Sequence, residues 1–309
     1  MGKGAFIFLL RKFQGGNKMK YGCQSMVDKI TGIMIKHPNQ AFKNQEFINE
    51  NYEACKYYGI PDFEKCQEEY KIFEDILKEN VENIYYLLED DDTNLDSIYA
   101  HDSLKITKKG AIYFNMSKDV RKGEAKAAEK YLQSLGIPTL GHIEEPGRME
   151  GGDVLWLGDN KVAIGLGYRT NEEGIRQFKE LTKDFIDEVI TVPLPHAVGS
   201  DEVLHLMSLI SPIADDLAVV YSKYMPIFFR EMLIENGIEL LEVDDDEYDY
   251  LGCNVLTLAP RVCVLIEGIP KIQKKLEDAG CKVYTYPGQE ISIKGTGGAT
   301  CFTSPIHRE

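Results

Sequence analysis

None of the seven cysteines pairs with another in C-x-x-C spacing, and seven is an odd number. A disulfide framework and a structural zinc site are both excluded on that pattern, and the chain reads as one from a reducing compartment. No apolar stretch approaches the roughly 20 residues of a membrane span. The run Ala5–Leu10 is too short for a signal-peptide core, and no small-residue cleavage pattern follows it. Position 6 is Phe, where a myristoylation signal wants Ser or Thr. Basic residues are in deficit: Lys+Arg 35 against Asp+Glu 50 leave a formal net charge of −15. That balance opposes nucleic acid or an anionic membrane as partner, because phosphates are held by clustered Lys and Arg. A small cationic substrate is compatible with it. The Walker loop, H-E-x-x-H and G-x-S-x-G are all missing, and His37, His101, His142, His196 and His307 form no metal-spaced cluster, so neither a metal nor an organic cofactor is expected. The expectation is a cytoplasmic protein with residues 1–18 as an unstructured extension, Met19 as a candidate start, and 19–309 as one domain. Its 43% hydrophobic content is ample for a core.

What the sequence does contain is an internal repeat. Asp102-Ser-Leu-Lys-Ile, Asp153-Val-Leu-Trp-Leu, Glu202-Val-Leu-His-Leu and Asn254-Val-Leu-Thr-Leu start 51, 49 and 52 residues apart. Each is a polar residue followed by the alternation of a strand. A second apolar run follows each of them: Ala111–Met116, Val162–Leu166, Leu217–Tyr221 and Val262–Ile266. Helix-like stretches come next at Gly123–Leu135, Glu172–Phe185, Pro226–Glu235 and Ile269–Ala279. A fifth unit assembles from the two ends, with Lys29–Lys36 as strand, Phe63–Leu77 as helix and Cys301-Phe-Thr as closing strand. Units of about 50 residues cannot each bury a core alone, so five of them are expected to pack around a common axis. The predicted fold is an α/β, five-bladed propeller of strand-strand-helix-strand repeats. The acidic runs Glu89–Asp92 and Asp244–Glu247 read as solvated loops between units.

Around an axis, equivalent positions converge. They bring together Asp102, Asp153 with Glu150 just before it, His205 beside Glu202, and Cys301. A thiol, an imidazole and carboxylates from different units make a nucleophilic site for a cationic substrate. Singly, each residue has an ordinary explanation: a buried Cys is a small hydrophobe, a His in an apolar strand is a hydrogen-bonded core residue, and Glu150-Gly-Gly-Asp153 is a turn. The glycine-rich stretch Gly295–Cys301 lets backbone approach a ligand. The acids should raise the thiol pKa, which a positive substrate or protonated His205 must offset.

The motifs resemble a known group, the guanidino-group-modifying enzymes: arginine deiminase, dimethylarginine dimethylaminohydrolase and the amidinotransferases. The resemblance rests on Met149-Glu-Gly-Gly-Asp-Val-Leu-Trp-Leu-Gly158, Tyr168-Arg-Thr-Asn171, Leu204-His-Leu-Met-Ser208 and Gly297-Gly-Ala-Thr-Cys301, in the family's order and spacing. Tyr21–Ser25 and Lys36–Gln40 resemble its N-terminal strand region. It implies the five-bladed α/β propeller (pentein) fold, Cys301 as nucleophile, His205 as general acid/base and Glu150 as catalytic acid. It also implies Asp102 on the guanidinium nitrogens and Arg169 and Arg121 on the substrate carboxylate, with Asp153 either binding substrate or orienting the loop. Met207 stands where deiminases carry Asp, which leans toward the dimethylarginine dimethylaminohydrolase-like branch. The implied reaction is hydrolysis of a C–N bond at the guanidino carbon of arginine or an N-methylated arginine through a Cys-bound thiouronium, giving citrulline without a cofactor. An amidinotransferase and a non-catalytic binding propeller are the alternatives. A small arginine-like cation is the expected partner, and a homodimer is compatible with it.

Overall fold

The computed structural model describes residues 19–197, 199–200 and 203–309. The expected extension over 1–18, and Glu202, lie outside these. The described residues form five three-stranded sheets, each with the same order. In every sheet the first strand pairs antiparallel with the second, and the second pairs parallel with the third. A parallel neighbour cannot be reached by a tight hairpin, so a helix must carry the chain across between second and third strands. The units are Leu104–Thr107, Gly110–Tyr113, Thr139–His142 with helix Glu124–Ser134; Val154–Trp156, Lys161–Leu166, Glu188–Pro193 with helix Glu172–Thr182; Ile210–Ala214, Leu217–Val220, Glu239–Glu242 with helix Ile227–Glu235; and Leu256–Ala259, Val262–Ile266, Lys282–Tyr286 with helix Pro270–Asp278. The unit built from both ends joins Thr303–Arg308, Ile30–Ile35 and Asn83–Tyr86 with helix Phe63–Asn80.

Middle strands such as Ile30–Ile35, Gly110–Tyr113 and Leu217–Val220 are buried along their whole length. Covered on both faces, they read as continuous apolar runs rather than alternations. The long helix starts where Asp62 accepts a hydrogen bond from the Lys65 N–H at 3.1 Å and turns Cys66, Tyr70, Phe73, Ile76 and Leu77 inward. Phe302 meets Tyr70, Phe73, Tyr99 and Tyr286 there, fixing the segment after Cys301. All seven cysteines are unpaired, and among the described residues no helix is long and apolar enough to cross a membrane.

Three expectations need correction. His205 does not lie in a strand: it heads the 3-10 turn Leu206–Ser208, and the strand begins only at Ile210. Cys301 likewise precedes its closing strand, which starts at Thr303. Of the acidic runs, Asp244–Glu247 is not merely solvated. Glu247 is buried and accepts the Lys271 and Ile272 N–H groups at 2.7 and 2.8 Å, capping the last helix.

Candidate active site

Chemistry-bearing side chains gather on the segments leading into the first strands. Asp102, Asn254 and Cys301 each stand two residues before such a strand, at Leu104, Leu256 and Thr303. Glu150 precedes the 3-10 turn Gly151–Asp153 that enters Val154. Local packing explains the double glycine: a Cβ on Gly151 would lie 2.1 Å from the His101 carbonyl oxygen, and one on Gly152 would lie 2.4 Å from His205 Nδ1. The turn is tied down by the Gly151 N–H to the Asp102 carbonyl at 2.8 Å and the Gly152 N–H to Asp102 Oδ1 at 3.0 Å.

His205, Glu150 and Asp102 are all buried, and their ligand-type atoms lie within 4.8 Å of one another. His205 Nε2 is 2.8 Å from Glu150 Oε2. Glu150 Oε1 accepts from the Ser117 hydroxyl at 2.5 Å and the Ser117 N–H at 3.1 Å. Burial would raise Glu150, but the hydrogen bond and charge of His205 outweigh it and hold the carboxyl below its ordinary range. Burial opposes the charge on His205, yet Asp102, Asp153 and Glu150 together raise its pKa above the ordinary imidazole value. Asp102 is likewise held low: burial is outweighed by the charges of Arg121 and His205.

Among the described residues these three are the one cluster with metal-ligand spacing. Its geometry suits proton transfer better than metal binding, because Glu150 already occupies His205 Nε2 and Arg121 pairs Asp102 Oδ2 at 2.8 Å.

Cys301 faces the same cavity as His205, a space of about 380 Å³ also walled by Tyr224, Tyr248, Asp249 and Asn254. Burial pushes its thiol up to about 11, and Asp102 adds to the shift. Asn254 opposes it by donating from Nδ2 to Sγ at 3.0 Å, while its Oδ1 accepts the Thr300 N–H at 3.0 Å. Asn254 was legible as the head of the fourth repeat but was not read as a site residue. Ser117, which bridges Glu150 and Arg169, carried no sequence signal. The glycine-rich approach to Cys301 packs on the protein itself: Cβ atoms at Gly295 and Gly297 would collide with Tyr99, and one at Gly298 with Asn254. Leu251 and Thr296, both lining the cavity, take left-handed φ of 63° and 60°.

Two expected substrate contacts are otherwise engaged. Arg121 is buried, binds Glu124 through Nε and Nη2 (both 2.8 Å), Asp102 through Nη1 and the Tyr99 carbonyl at 3.1 Å. These bonds orient Asp102. Asp153, fully buried, accepts the Leu206 N–H at 2.9 Å on Oδ1 and the Thr170 hydroxyl at 2.6 Å on Oδ2. It fastens the turn behind His205. Arg169 is buried with Nη1 3.0 Å from Ser117 Oγ, next to Glu150. The loop that carries it is pinned where Asn171 accepts the Arg148 and Gly174 N–H groups, both at 2.9 Å. Met207 is buried and turns away from this cavity, lining a separate one.

Comparison with known proteins places this geometry. The chain is 25% identical over 257 residues to the N(G),N(G)-dimethylarginine dimethylaminohydrolase of Pseudomonas aeruginosa, covering 81% of this chain and 92% of that protein. It is 26% identical over 213 residues to an uncharacterized Bacillus subtilis protein, with 69% and 70% covered. Among solved structures, the P. aeruginosa enzyme complexed with citrulline superposes with a TM-score of 0.72 at 20% identity, over 90% of this chain and 100% of that one. The product-bound N-terminal domain of ArgZ, a cyanobacterial arginine dihydrolase, gives 0.75 at 17% identity, over 91% and 98%. These likenesses carry the α/β fold. The model of the family described as N,N dimethylarginine dimethylhydrolase, eukaryotic, matches residues 37–308. The chain therefore belongs to that family, on the dimethylarginine dimethylaminohydrolase-like branch of the guanidino-group-modifying enzymes.

Proposed function

We propose that this protein is a cysteine-dependent hydrolase of guanidino compounds, acting on arginine or an N-methylated arginine and releasing citrulline with ammonia or a methylamine. The observation that carries the reading is the His205 Nε2–Glu150 Oε2 bond of 2.8 Å beside a cavity shared by His205 and Cys301. Residues 19–309 act as one catalytic domain, with the five sheets as blades around a common axis. The shared strand order of the sheets supports that arrangement.

A guanidinium is resonance-stabilised and a poor electrophile, so its plane must be fixed over the nucleophile. Asp102 and Glu150 supply the negative charge that draws it in. Its positive charge offsets the carboxylates that raise the Cys301 thiol. The thiol first loses its proton to bulk water; Sγ, as thiolate, then bonds to the guanidino carbon, and His205, as imidazolium, gives its proton to the departing nitrogen as the C–N bond breaks. The thiouronium left on Cys301 is attacked by water, whose proton passes to the now neutral His205. The C–S bond breaks, the thiolate departs and a ureido product forms. Glu150 holds the imidazole and favours its charged form, and Arg169 holds the substrate carboxylate.

The test is citrulline release scored side by side on arginine, mono- and dimethylarginine and an arginine-plus-glycine mixture, with Cys301→Ser as control. Citrulline from a methylated arginine, absent in the control, is the expected result. Guanidinoacetate from the mixture means transfer to an amine. No turnover of any substrate overturns the reading.

A further inference from the structure

Behind the site lies a second, smaller cavity that the proposed chemistry does not use. Its volume is about 30 Å³, and its walls include Lys105, Arg308, His101, Cys23, Thr300 and Met207. Among the described residues no Asp or Glu lines it. Lys105 is buried and donates one of its three N–H bonds to His101 Nε2 at 2.6 Å, while His101 Nδ1–H is used by the Thr303 carbonyl at 2.8 Å. That pattern fixes His101 as neutral imidazole, and burial, followed by the Lys105 charge, lowers its pKa to about 3. The Arg308 guanidinium reaches the Thr257 carbonyl at 2.9 Å and the Asp28 carbonyl. Arg308 Nε and Thr300 Oγ1 are both buried without a hydrogen-bond partner among the described residues, and Thr300 is 6% exposed. Burial pushes the Cys23 thiol up, against the charge and a side-chain hydrogen bond of Arg308.

Two cations therefore face a small polar cavity with unused donors and no carboxylate in its wall. Burial already lowers Lys105 to about 8, since buried charge without a counter-charge is strongly disfavoured, and buried donors are almost always satisfied. Asp102, the nearest acid acting on Lys105, is already paired with Arg121. We propose that this cavity is a binding site for a small inorganic anion such as a halide, held by Lys105, Arg308 and the Thr300 hydroxyl. The space is ample for one water, and so for an ion of halide size. The cavity adjoins a larger space: Ser25, Met26, Trp156 and Pro212 also wall a groove of about 290 Å³. The occupant touches the catalytic segments through their neighbours: Thr300 precedes Cys301, His101 precedes Asp102, and the His101 N–H bonds the Cys301 carbonyl at 3.1 Å.

The test uses the full chain. Crystals grown with bromide as the halide are expected to show one anomalous peak between Lys105 Nζ, the Arg308 guanidinium and Thr300 Oγ1. In solution, replacing gluconate with bromide at constant ionic strength is expected to raise the melting temperature along a saturating curve. Lys105→Met is expected to lose both the saturating rise and the peak. Ordered water with no anomalous signal in the cavity overturns the proposal, and so does an undiminished rise in Lys105→Met. If that variant does not fold, the anomalous map of the unmodified protein decides. None of these readouts involves turnover, so the outcome is independent of the proposed hydrolysis.

Discussion

On one side of the reactive cavity, Asp102, Glu150, His205 and Asp153 are each held by side chains or backbone from two or more segments. On the other side, Cys301 Sγ has a single side-chain hydrogen bond in the described structure, from Asn254. The acid wall is over-determined and the thiol wall is sparse. A group that stabilises charge works best when it is already oriented, since reorientation during reaction would consume the gain. A nucleophile must instead move onto carbon and off again, and strong bonds to Sγ would have to break each time. The contrast also divides the energetics: changes on the acid wall should cost stability as well as rate, and changes on the thiol wall rate alone.

The sharpest test of that division is Cys301→Ser. It should lower kcat by about 10⁴-fold or more while leaving the melting temperature nearly unchanged; a large loss of stability would break the comparison. Arg121→Leu attacks the other wall. It leaves buried Asp102 and Glu124 without their cation and should cost about 3–5 kcal/mol in urea unfolding. Burial already pushes Glu124 up to about 7 against the pull of Arg121, so some of that loss should be recovered in acid, where the carboxyl takes a proton. Glu150→Gln should lower kcat by about 10²–10⁴-fold. Because the Glu150 charge helps raise His205, its removal lowers the imidazole pKa. The alkaline fall of kcat, where imidazolium is lost, should then move to lower pH. The smallest effect belongs to Asn254→Ala. The free enzyme should be alkylated at Cys301 with a midpoint well above that of an ordinary thiol. Without the Asn254 donor that midpoint should rise by roughly half to one pH unit. An unmoved midpoint means that Asn254 only supports the Thr300 backbone.

The sequence disclosed the fold through spacing. Three near-equal intervals placed four first strands, and the helices fell within a few residues of their expected bounds because amphipathic faces such as Cys66, Tyr70, Phe73 and Leu77 are local information. It misplaced His205 because Val203-Leu-His-Leu206 alternates like a strand, while the Asp153 bond to the Leu206 N–H that sets the turn comes from 53 residues away. The Arg121 ion pair was partly local, since its partner Glu124 lies three residues later. Asn254 was visible by position and passed over by chemistry, since an amide suggests less than a carboxylate or thiol. The pairing of Lys105 with Arg308 across one small space had no sequence signal, because 203 residues separate them.

The chain has one tryptophan. Trp156 is 3% exposed, packs against Phe178 at 6.4 Å and forms part of the partition between the small cavity and the groove outside it. All indole emission from this protein thus originates at one spot. Its colour and decay time describe that partition alone, so ions or motions there can be followed by light, in solution, with no label attached.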